Sequence, residues 1–270
     1  MRCILNKQAF SLVELSIVLV ILGLLTGGIL AGQSLIRASE LRAATSEYQR
    51  YMAASHTFRD KYFSIPGDFR DATKFWGRLN ANADCVTNSG APGPNANGAC
   101  DGDGSGIFNS AAAAGQSGER LQFWRHLALA GLIEGSYTGL AGAAGGSDCP
   151  LGTVCPKSKL GNGGWGAWVW NAYAGNTETY AGNYGGVLAM GAAYTNAWPV
   201  NPLFKPEEAW NIDTKMDDGK PGTGKILPRD SVGFGNANGC TNSTSATDYA
   251  SSYNLPVSSA VCSLFFANTF

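Results

Sequence analysis

The chain has 270 residues, a formal net charge of -1 and 14% charged side chains, so no bulk positive charge attracts it to nucleic acid. Aromatic residues make up 11%, which a disordered chain would lack. Together with 36 glycines, this composition favours an ordered body rich in loops. The length allows one domain, or one domain with an appendage.

The first predicted element is an apolar helix near the start of the chain. No charged residue occurs from Leu15 to Ile36, a run of 22 residues. As a helix this run is roughly 33 Å long, enough to cross the hydrocarbon core of a bilayer. Arg2 and Lys7 precede it, and positive charge stays on the cytoplasmic side. The rest of the chain is therefore expected outside the cytoplasm.

Three ordinary interpretations of this run compete: a secretory signal peptide, a plain membrane anchor and a buried core helix. A signal peptide has a short apolar core and then a small-residue cleavage site. Here the run is long and continues through TGGILAGQSL without a break. None of the three interpretations accounts for Glu14, because a carboxylate inside hydrocarbon is costly and such acids are functional by default.

The residues around Glu14 carry a specific family resemblance. The stretch KQAFSLVEL resembles the prepilin-type cleavage and methylation motif of type IV pilins and type II secretion pseudopilins. The resemblance implies that prepilin peptidase cuts between Ala9 and Phe10, that Phe10 becomes N-methylated, and that Glu14 is the fifth mature residue. Ala9 stands where the family usually has glycine, a departure to the next smallest side chain.

The same resemblance implies a structural role rather than an enzymatic one. It describes a subunit, minor or at the tip, of a type IV pilus or type II secretion pseudopilus. Such a bacterial subunit is stored in the inner membrane and then moves into a periplasmic or cell-surface filament. Its implied partners are other pilin or pseudopilin subunits, prepilin peptidase, the inner-membrane assembly platform and the membrane, but no nucleic acid. Glu14 is expected to pair with the new amino terminus of a neighbouring subunit, because unpaired charges in a helix bundle are costly.

The predicted helix continues well beyond the apolar run. No Pro occurs before the IPGD stretch, so we predict one helix from Ser11 to Phe63, roughly 80 Å long. A moderately apolar stripe follows the second half, with Glu47 placed off it. The stripe consists of Leu41, Ala44, Tyr48, Tyr51, Ser55, Phe58 and Tyr62. The predicted organisation is a leader at 1-9, a membrane and assembly half at 10-37, and an extracytoplasmic globular domain at 38-270.

The rest of the chain predicts a small α+β domain, pilin-like in fold class. A further helix is predicted from Ser117 to Gly135, ended by Gly135, with His126 on or near the surface rather than in a catalytic site. The stretches 163-173 and 184-194 are predicted strands, and KILPRDSVGFG and SLFFANTF are two shorter ones. The long helix is thus expected to pack on a small antiparallel sheet in a loop-rich, disulfide-braced domain.

Six cysteines follow the apolar run, and an even number in an exported domain indicates three disulfides. Fifteen pairings of six cysteines exist, and pairing between sequence neighbours is the simplest. The expected pairs are Cys85–Cys100, Cys149–Cys155 and Cys240–Cys262. A zinc site is the competing interpretation, but no C-x2-C spacing occurs and neither histidine lies near a cysteine pair.

An aromatic region allows two interpretations, a packed core or a glycan-binding platform. Its members are Trp165, Trp168, Trp170, Tyr173, Tyr180 and Tyr184. We favour the core, because aromatic side chains carry much of any small core. The platform defines the alternative function, a pilus-tip or membrane-anchored adhesin. A secreted enzyme with an unusual anchor is a third interpretation, but no nucleophile, metalloprotease or phosphate-loop motif is present.

The stretch CDGDGSGIF resembles the start of a calcium-binding loop. Asp101, Asp103 and Ser105 stand at alternate positions, as oxygen ligands do in such loops. The glutamate expected at the twelfth position is missing, and Glu119 or Asp84 is the proposed substitute. The competing interpretation is a glycine-rich turn held by a disulfide.

A second acidic stretch, NIDTKMDDGKPGTGK, is a weaker calcium candidate. It brings Asp213, Asp217 and Asp218 close together in sequence, although their spacing fits no standard loop. A solvated turn is the favoured interpretation. The resemblance to minor pseudopilins, which as a class use calcium to brace such loops, strengthens the calcium interpretation of both stretches.

Overall fold

The computed structural model describes residues 11-79, 85, 97-109 and 113-270. The expected processing site at Ala9 and Phe10 and the candidate ligand Asp84 lie outside the described residues. The fold divides into two compact units, with the boundary between Arg42 and Ala43.

Four helices and four strands make up the described regular structure. In chain order they are α1 (Leu12–Tyr62), α2 (Ala72–Trp76), α3 (Glu119–Leu129), β1 (Gly163–Trp170), β2 (Gly185–Ala192), α4 (Pro206–Met216), β3 (Ile226–Asp230) and β4 (Cys262–Phe266). The α+β class, the long first helix and all four predicted strands are confirmed. Helices α2 and α4 were not expected.

Helix α1 has 51 residues, one fewer at each end than predicted. Its last turn is closed by the backbone N–H of Phe63, which donates to the Arg59 carbonyl at 2.8 Å. Phe63 has a positive φ of 53°, and Pro66 cannot continue a helix. Local chemistry therefore ends α1 where the sequence indicated.

Helix α3 is shorter than predicted, and the expected end at Gly135 is wrong. Gly131 has a φ of 72°, and its N–H donates to the Ala128 carbonyl at 3.0 Å. The N–H of Leu132 donates to the Leu127 carbonyl at 3.0 Å. These two bonds form the Schellman arrangement that closes helices on a left-handed glycine. The helix therefore ends at Gly131, four residues before the predicted Gly135.

The unexpected helix α4 begins with signals that are present in the sequence. Pro206 occupies its first position, where the missing N–H costs nothing. The Glu208 carboxylate, one turn in, accepts the backbone N–H of Lys205 at 3.0 Å. The KPEE stretch is therefore a helix start, and it places Asp213 on a helix rather than in a loop.

The four strands form one antiparallel sheet in the order β1-β2-β4-β3. Strands β1 and β2 pair along their whole length, from Gly163 opposite Ala192 to Trp170 opposite Gly185. The last strand, β4, inserts between β2 and β3. Pro228 lies in β3, an edge strand, where a missing N–H is tolerated.

Side chains pack on both faces of the sheet. On one face, Tyr48 of α1 stacks on Phe266 with ring centroids 4.4 Å apart, and Tyr51 meets Trp165 edge to face at 5.7 Å. The other face carries a second buried cluster. It consists of Tyr180, Tyr184, Val187, Ala189, Val200, Leu227, Phe265 and Ala267. The sheet is thus the middle layer of the domain.

The buried face of α1 corrects one prediction, because Glu47 lies on it. Glu47 is only 7% exposed, and its carboxylate accepts hydrogen bonds from Ser158 Oγ at 2.7 Å and from Trp165 Nε1 at 2.8 Å. The backbone N–H of Lys159 donates to it at 2.9 Å. A buried carboxylate with three donors is satisfied and joins the helix to the segment that leads into β1.

Three disulfides brace the domain, and they join sequence neighbours as expected. The pairs are Cys85–Cys100, Cys149–Cys155 and Cys240–Cys262. The third joins a loop to the first residue of β4. The sequence separations within the three pairs are 15, 6 and 22 residues, so each disulfide closes a local loop.

Candidate assembly helix and acidic loop sites

The first half of α1 keeps its apolar side chains exposed. The large apolar residues from Leu12 to Ile36 have exposed fractions between 50% and 86%. Of the helices that the structure describes, α1 is long and apolar enough to cross a membrane, and its most apolar stretch is not buried inside the chain. Exposed apolar surface on this scale marks a membrane or protein interface.

Glu14 lies in the first turn of α1 and takes part in a helix cap. Its carboxylate accepts the backbone N–H of Ser11 at 2.9 Å, and Ser11 Oγ accepts the N–H of Val13 at 3.3 Å. This reciprocal pattern is a capping box, and its signature S-x-x-E is readable in the sequence. Glu14 therefore has a local structural role in addition to any role between subunits.

The first acidic cluster combines Asp68, Asp103 and Glu119. One carboxylate oxygen from each residue lies within 4.8 Å of the others. Two oxygens that share a calcium ion at about 2.4 Å can be at most about 4.8 Å apart, so the spacing fits a common ion. Asp68 follows α1, Asp103 lies in the glycine-rich loop and Glu119 begins α3. Three separate parts of the chain therefore meet here.

Of the three residues predicted to bind calcium in this loop, only Asp103 belongs to the cluster. The Asp101 carboxylate instead accepts both the backbone N–H and the hydroxyl of Thr73, each at 2.8 Å, and so holds the first turn of α2. The Ser105 hydroxyl accepts the N–H of Ile107 at 3.3 Å. Glu119 was an expected substitute ligand. Asp68 was missed, and only the turn signal in IPGD marked its position.

The buried carboxylates of this cluster also organise the loop around them. Asp68, 2% exposed, accepts the N–H of Gly106 at 2.7 Å. Glu119, fully buried, accepts the N–H groups of Asn109 at 2.8 Å and Asp103 at 3.1 Å. Burial, together with the nearby Asp68, raises the pKa of Glu119 to about 7. A bound cation would favour its charged form.

The second acidic cluster contains the predicted residues Asp213, Asp217 and Asp218, again within 4.8 Å of one another. Asp213 is fully buried on α4, where Tyr253 donates its hydroxyl at 2.8 Å. Burial raises the pKa of Asp213 to about 7. Asp218 accepts the N–H of Lys220 at 2.9 Å, as in the predicted turn. The favoured solvated turn thus describes Asp218 but not Asp213.

His126 is fully buried, contrary to the prediction of a surface or half-buried side chain. Its Nδ1 accepts the backbone N–H of Gly67 at 2.9 Å. The rings of Phe58, Phe69 and Trp76 surround it. Burial lowers the pKa of His126 to about 3, so the side chain is neutral near pH 7. His126 is a core residue that fixes the turn after α1.

The aromatic region divides into core and surface parts. Trp165, Tyr180 and Tyr184 are buried, as the core interpretation predicted. Trp168 and Trp170 are half-buried, but Arg120 lies over the ring of Trp168. Tyr173 stacks on Trp170 with centroids 4.6 Å apart. Protein groups therefore already occupy ring faces that a sugar platform would need.

Comparison with known proteins finds one match, at the start of the chain. Residues 4-30 match the family model of the prokaryotic N-terminal methylation motif. The match contains the apolar start of α1 and Glu14. No curated protein and no solved structure matches the chain.

Proposed function

Because the chain carries the N-terminal methylation motif of type IV pilins and pseudopilins, we propose that it is a structural subunit of a type IV pilus or a type II secretion pseudopilus. The chain has 270 residues, which is longer than a typical major pilin by family resemblance. We therefore assign it a minor or tip position. The motif is structural and defines no enzyme class. One observation carries the proposal: the matched half of α1 exposes all its large apolar side chains.

The proposed life cycle follows from that exposed helix. The subunit is held in the inner membrane by the first half of α1, because a bilayer covers apolar side chains that this chain leaves exposed. Prepilin peptidase then removes the leader, and the assembly platform transfers the helix into a bundle of other subunits. The filament is periplasmic or on the cell surface.

Processing is tested by co-expression with and without a prepilin peptidase, followed by intact mass measurement. We expect the peptidase to remove MRCILNKQA and to add one methyl group to Phe10. Cleavage downstream of Ile29 by an ordinary signal peptidase would contradict the proposal. A chain that keeps its leader with active peptidase present would contradict it equally.

Glu14 is proposed to pair with the amino terminus of a neighbouring subunit during assembly. The capping box allows a sharp test, because glutamine can also accept the Ser11 N–H but carries no charge. If charge pairing matters, Glu14→Gln and Glu14→Ala both lose incorporation into filaments while membrane insertion stays normal. If the cap alone matters, Glu14→Gln assembles like the unmodified chain and the pairing proposal fails.

Calcium binding is proposed as a second property, supported by the convergence of Asp68, Asp103 and Glu119. All three offer the oxygen ligands that calcium prefers, and two of them are buried. Asp213, Asp217 and Asp218 form the second candidate set. A bound ion would supply positive charge at each cluster and hold the loop against its neighbouring helix.

Calcium is tested by thermal unfolding of the detergent-solubilised chain after chelation, with CaCl2 or MgCl2 added. Calcium at about 100 times its dissociation constant should stabilise the chain by about 2.7 kcal/mol. Glu119→Gln and Asp213→Asn separate the two clusters. Asp101→Asn is the matched control. The Asp101 carboxylate accepts a hydrogen bond from Thr73 and lies outside the cluster, so this substitution should leave calcium binding unchanged. Loss of binding in the control, or no response to calcium, would contradict the proposal.

A further inference from the structure

An uncharged pocket lies between three loops of the second unit. Its volume is about 370 Å3, and its lining includes Asn176, Thr177, Phe234, Thr244 and Ser245. Among the residues that the structure describes, no acidic, basic or histidine side chain lines it. One aromatic ring, a side-chain amide and three hydroxyl groups therefore share one small cavity.

Backbone hydrogen bonds hold the three loops together. They join Phe234 N–H to the Thr177 carbonyl at 2.7 Å, Gly235 N–H to the Ser243 carbonyl at 2.7 Å, and Ala181 N–H to the Ala246 carbonyl at 2.8 Å. At Gly175, with a φ of 77°, an added Cβ would lie 2.5 Å from the Ala246 Cβ. The loops approach as closely as a glycine allows, so the pocket is formed in advance of any ligand.

The aromatic ring of the pocket, Phe234, packs against a buried residue. The ring of Phe234 is half-buried and packs against Tyr180, with centroids 4.8 Å apart. Tyr180 is fully buried, and its hydroxyl is hydrogen-bonded to Ser251 Oγ at 2.7 Å. Phe234 is thus a fixed ring with part of its surface at the pocket.

The polar rim keeps hydrogen-bonding capacity for a ligand. Asn176 Oδ1 accepts the backbone N–H groups of Glu178 and Thr179, both at 2.8 Å, which leaves its amide nitrogen as a donor. The hydroxyls of Thr177 and Thr244 form no side-chain hydrogen bond within the part of the chain that the structure describes. Each hydroxyl can both donate and accept.

We propose that this pocket binds a neutral carbohydrate. A pyranose ring presents a C–H face that can lie on Phe234 and hydroxyls that can pair with Asn176, Thr177 and Thr244. An ionic ligand would find no charged side chain among the described lining residues, and a purely aliphatic one would leave the rim groups unpaired. The site is separate from Trp168 and Trp170, and it goes beyond a purely structural role in a filament.

The test uses saturation-transfer NMR on the full detergent-solubilised chain with methyl β-glucoside, methyl β-galactoside and N-acetylglucosamine. We expect saturation transfer to the C–H face of at least one sugar. Phe234→Leu should weaken binding roughly tenfold, because aromatic stacking is lost. Thr244→Val should weaken it about threefold to tenfold, because one hydrogen bond is lost.

Trp168→Phe is the control for the aromatic region predicted from the sequence, and it should bind as the unmodified chain does. Thr244 is exposed, so Thr244→Val keeps the test decisive even if Phe234→Leu does not fold. The proposal is overturned by absence of transfer to all three sugars. It is also overturned if Thr244→Val binds normally, or if Trp168→Phe abolishes binding.

Discussion

The two halves of α1 differ in the exposure of their apolar side chains. Between Leu12 and Ile36 the apolar side chains are at least half exposed, whereas Phe58, in the second half, is fully buried. The hydrophobic effect acts on both halves, but within the part of the chain that the structure describes only the second half buries large apolar side chains. This contrast supports the proposal that a bilayer or other subunits cover the first half.

The two glutamates Glu14 and Glu47 repeat this contrast. Glu47 is buried and accepts three hydrogen bonds from the segment before β1 and from Trp165. Glu14 is exposed, and the hydrogen bond described for it comes from its own helix turn. A carboxylate completed by its own fold is structural, whereas an exposed one near an apolar run is available to a partner.

The largest expected effect is on stability, from a substitution that removes packing against the second half of α1. Trp165→Ala removes a fully buried ring that contacts α1 and donates to Glu47. We expect the free energy of unfolding to fall by about 3–5 kcal/mol, measured by urea titration, with membrane insertion unchanged. Trp210→Ala, at a position 37% exposed, is the matched control and should cost much less.

The next largest effect is on membrane insertion, from a substitution in the exposed first half of α1. Leu19→Arg places a charge in the middle of the apolar run, at a cost of about 2.5–3.5 kcal/mol for membrane insertion. We expect less chain in carbonate-washed membranes, while the unfolding transition of the globular domain keeps its midpoint. Leu19→Phe should remain in the membrane. A shifted midpoint in Leu19→Arg would mean that the two halves are not independent.

A pH titration sharpens the comparison by probing the buried turn after α1. The pKa of His126 is lowered to about 3, so below about pH 6.5 the unfolded chain binds a proton that the folded chain does not. The His126 contribution to stability therefore falls as pH drops, by about 1.4 kcal/mol per pH unit.

Urea titrations at pH 6.5 and 5.0 on the unmodified chain and on His126→Asn isolate this contribution. The unmodified chain should lose about 2 kcal/mol more than the variant. The comparison is necessary because the raised pKa values of Glu119 and Asp213 act in the opposite direction over this range. Equal losses in both proteins would show that His126 takes up a proton in the fold.

A smaller effect tests whether Glu47 joins α1 to the domain. Glu47→Gln keeps the shape of the side chain but replaces one acceptor oxygen with an NH2 donor. That donor then faces another donor, because Ser158, Trp165 and the Lys159 N–H all donate to the carboxylate. We expect a loss of about 1–3 kcal/mol in the free energy of unfolding. Glu40→Gln, which breaks only a partly exposed pair with Arg37, should cost under about 1 kcal/mol.

The smallest effect concerns the end of α3. At Gly131 an added Cβ would meet nothing within 4 Å, so Gly131→Ala tests backbone strain alone at a φ of 72°. We expect a loss of about 1 kcal/mol. Gly23→Ala, inside α1 and equally free of neighbours, should instead favour the helix. A stable Gly131→Ala would argue against the Schellman end.

Several features were readable from the sequence because their causes are local. The apolar run and its length, the N-terminal methylation motif, the four strands and the short disulfide loops each depend on residues close together in the chain. The missed capping box at Ser11 and the missed start of α4 at Pro206 also belong to this group. Both are marked by local signals, S-x-x-E at the start of α1 and Pro206 at the start of α4.

Other features depend on residues that only the fold brings together. Glu47 was placed off the apolar stripe because helix periodicity ignores partners, and its partner Ser158 lies 111 residues away. The burial of His126 was missed for the same reason. No residue near it in sequence indicates that aromatic rings from other parts of the chain surround it.

The membrane-length helix, the N-terminal methylation motif and the disulfide-braced α+β domain all follow from the sequence, because local propensity and hydrophobic period act over a few residues. Only the tertiary structure decided which carboxylates meet: it left Asp101 beside Thr73 and brought Asp68 to Glu119. Likewise it buried three of the predicted platform rings and formed the pocket at Phe234. The physical reason is that burial and electrostatic partners depend on distances in space, which the order of residues does not record.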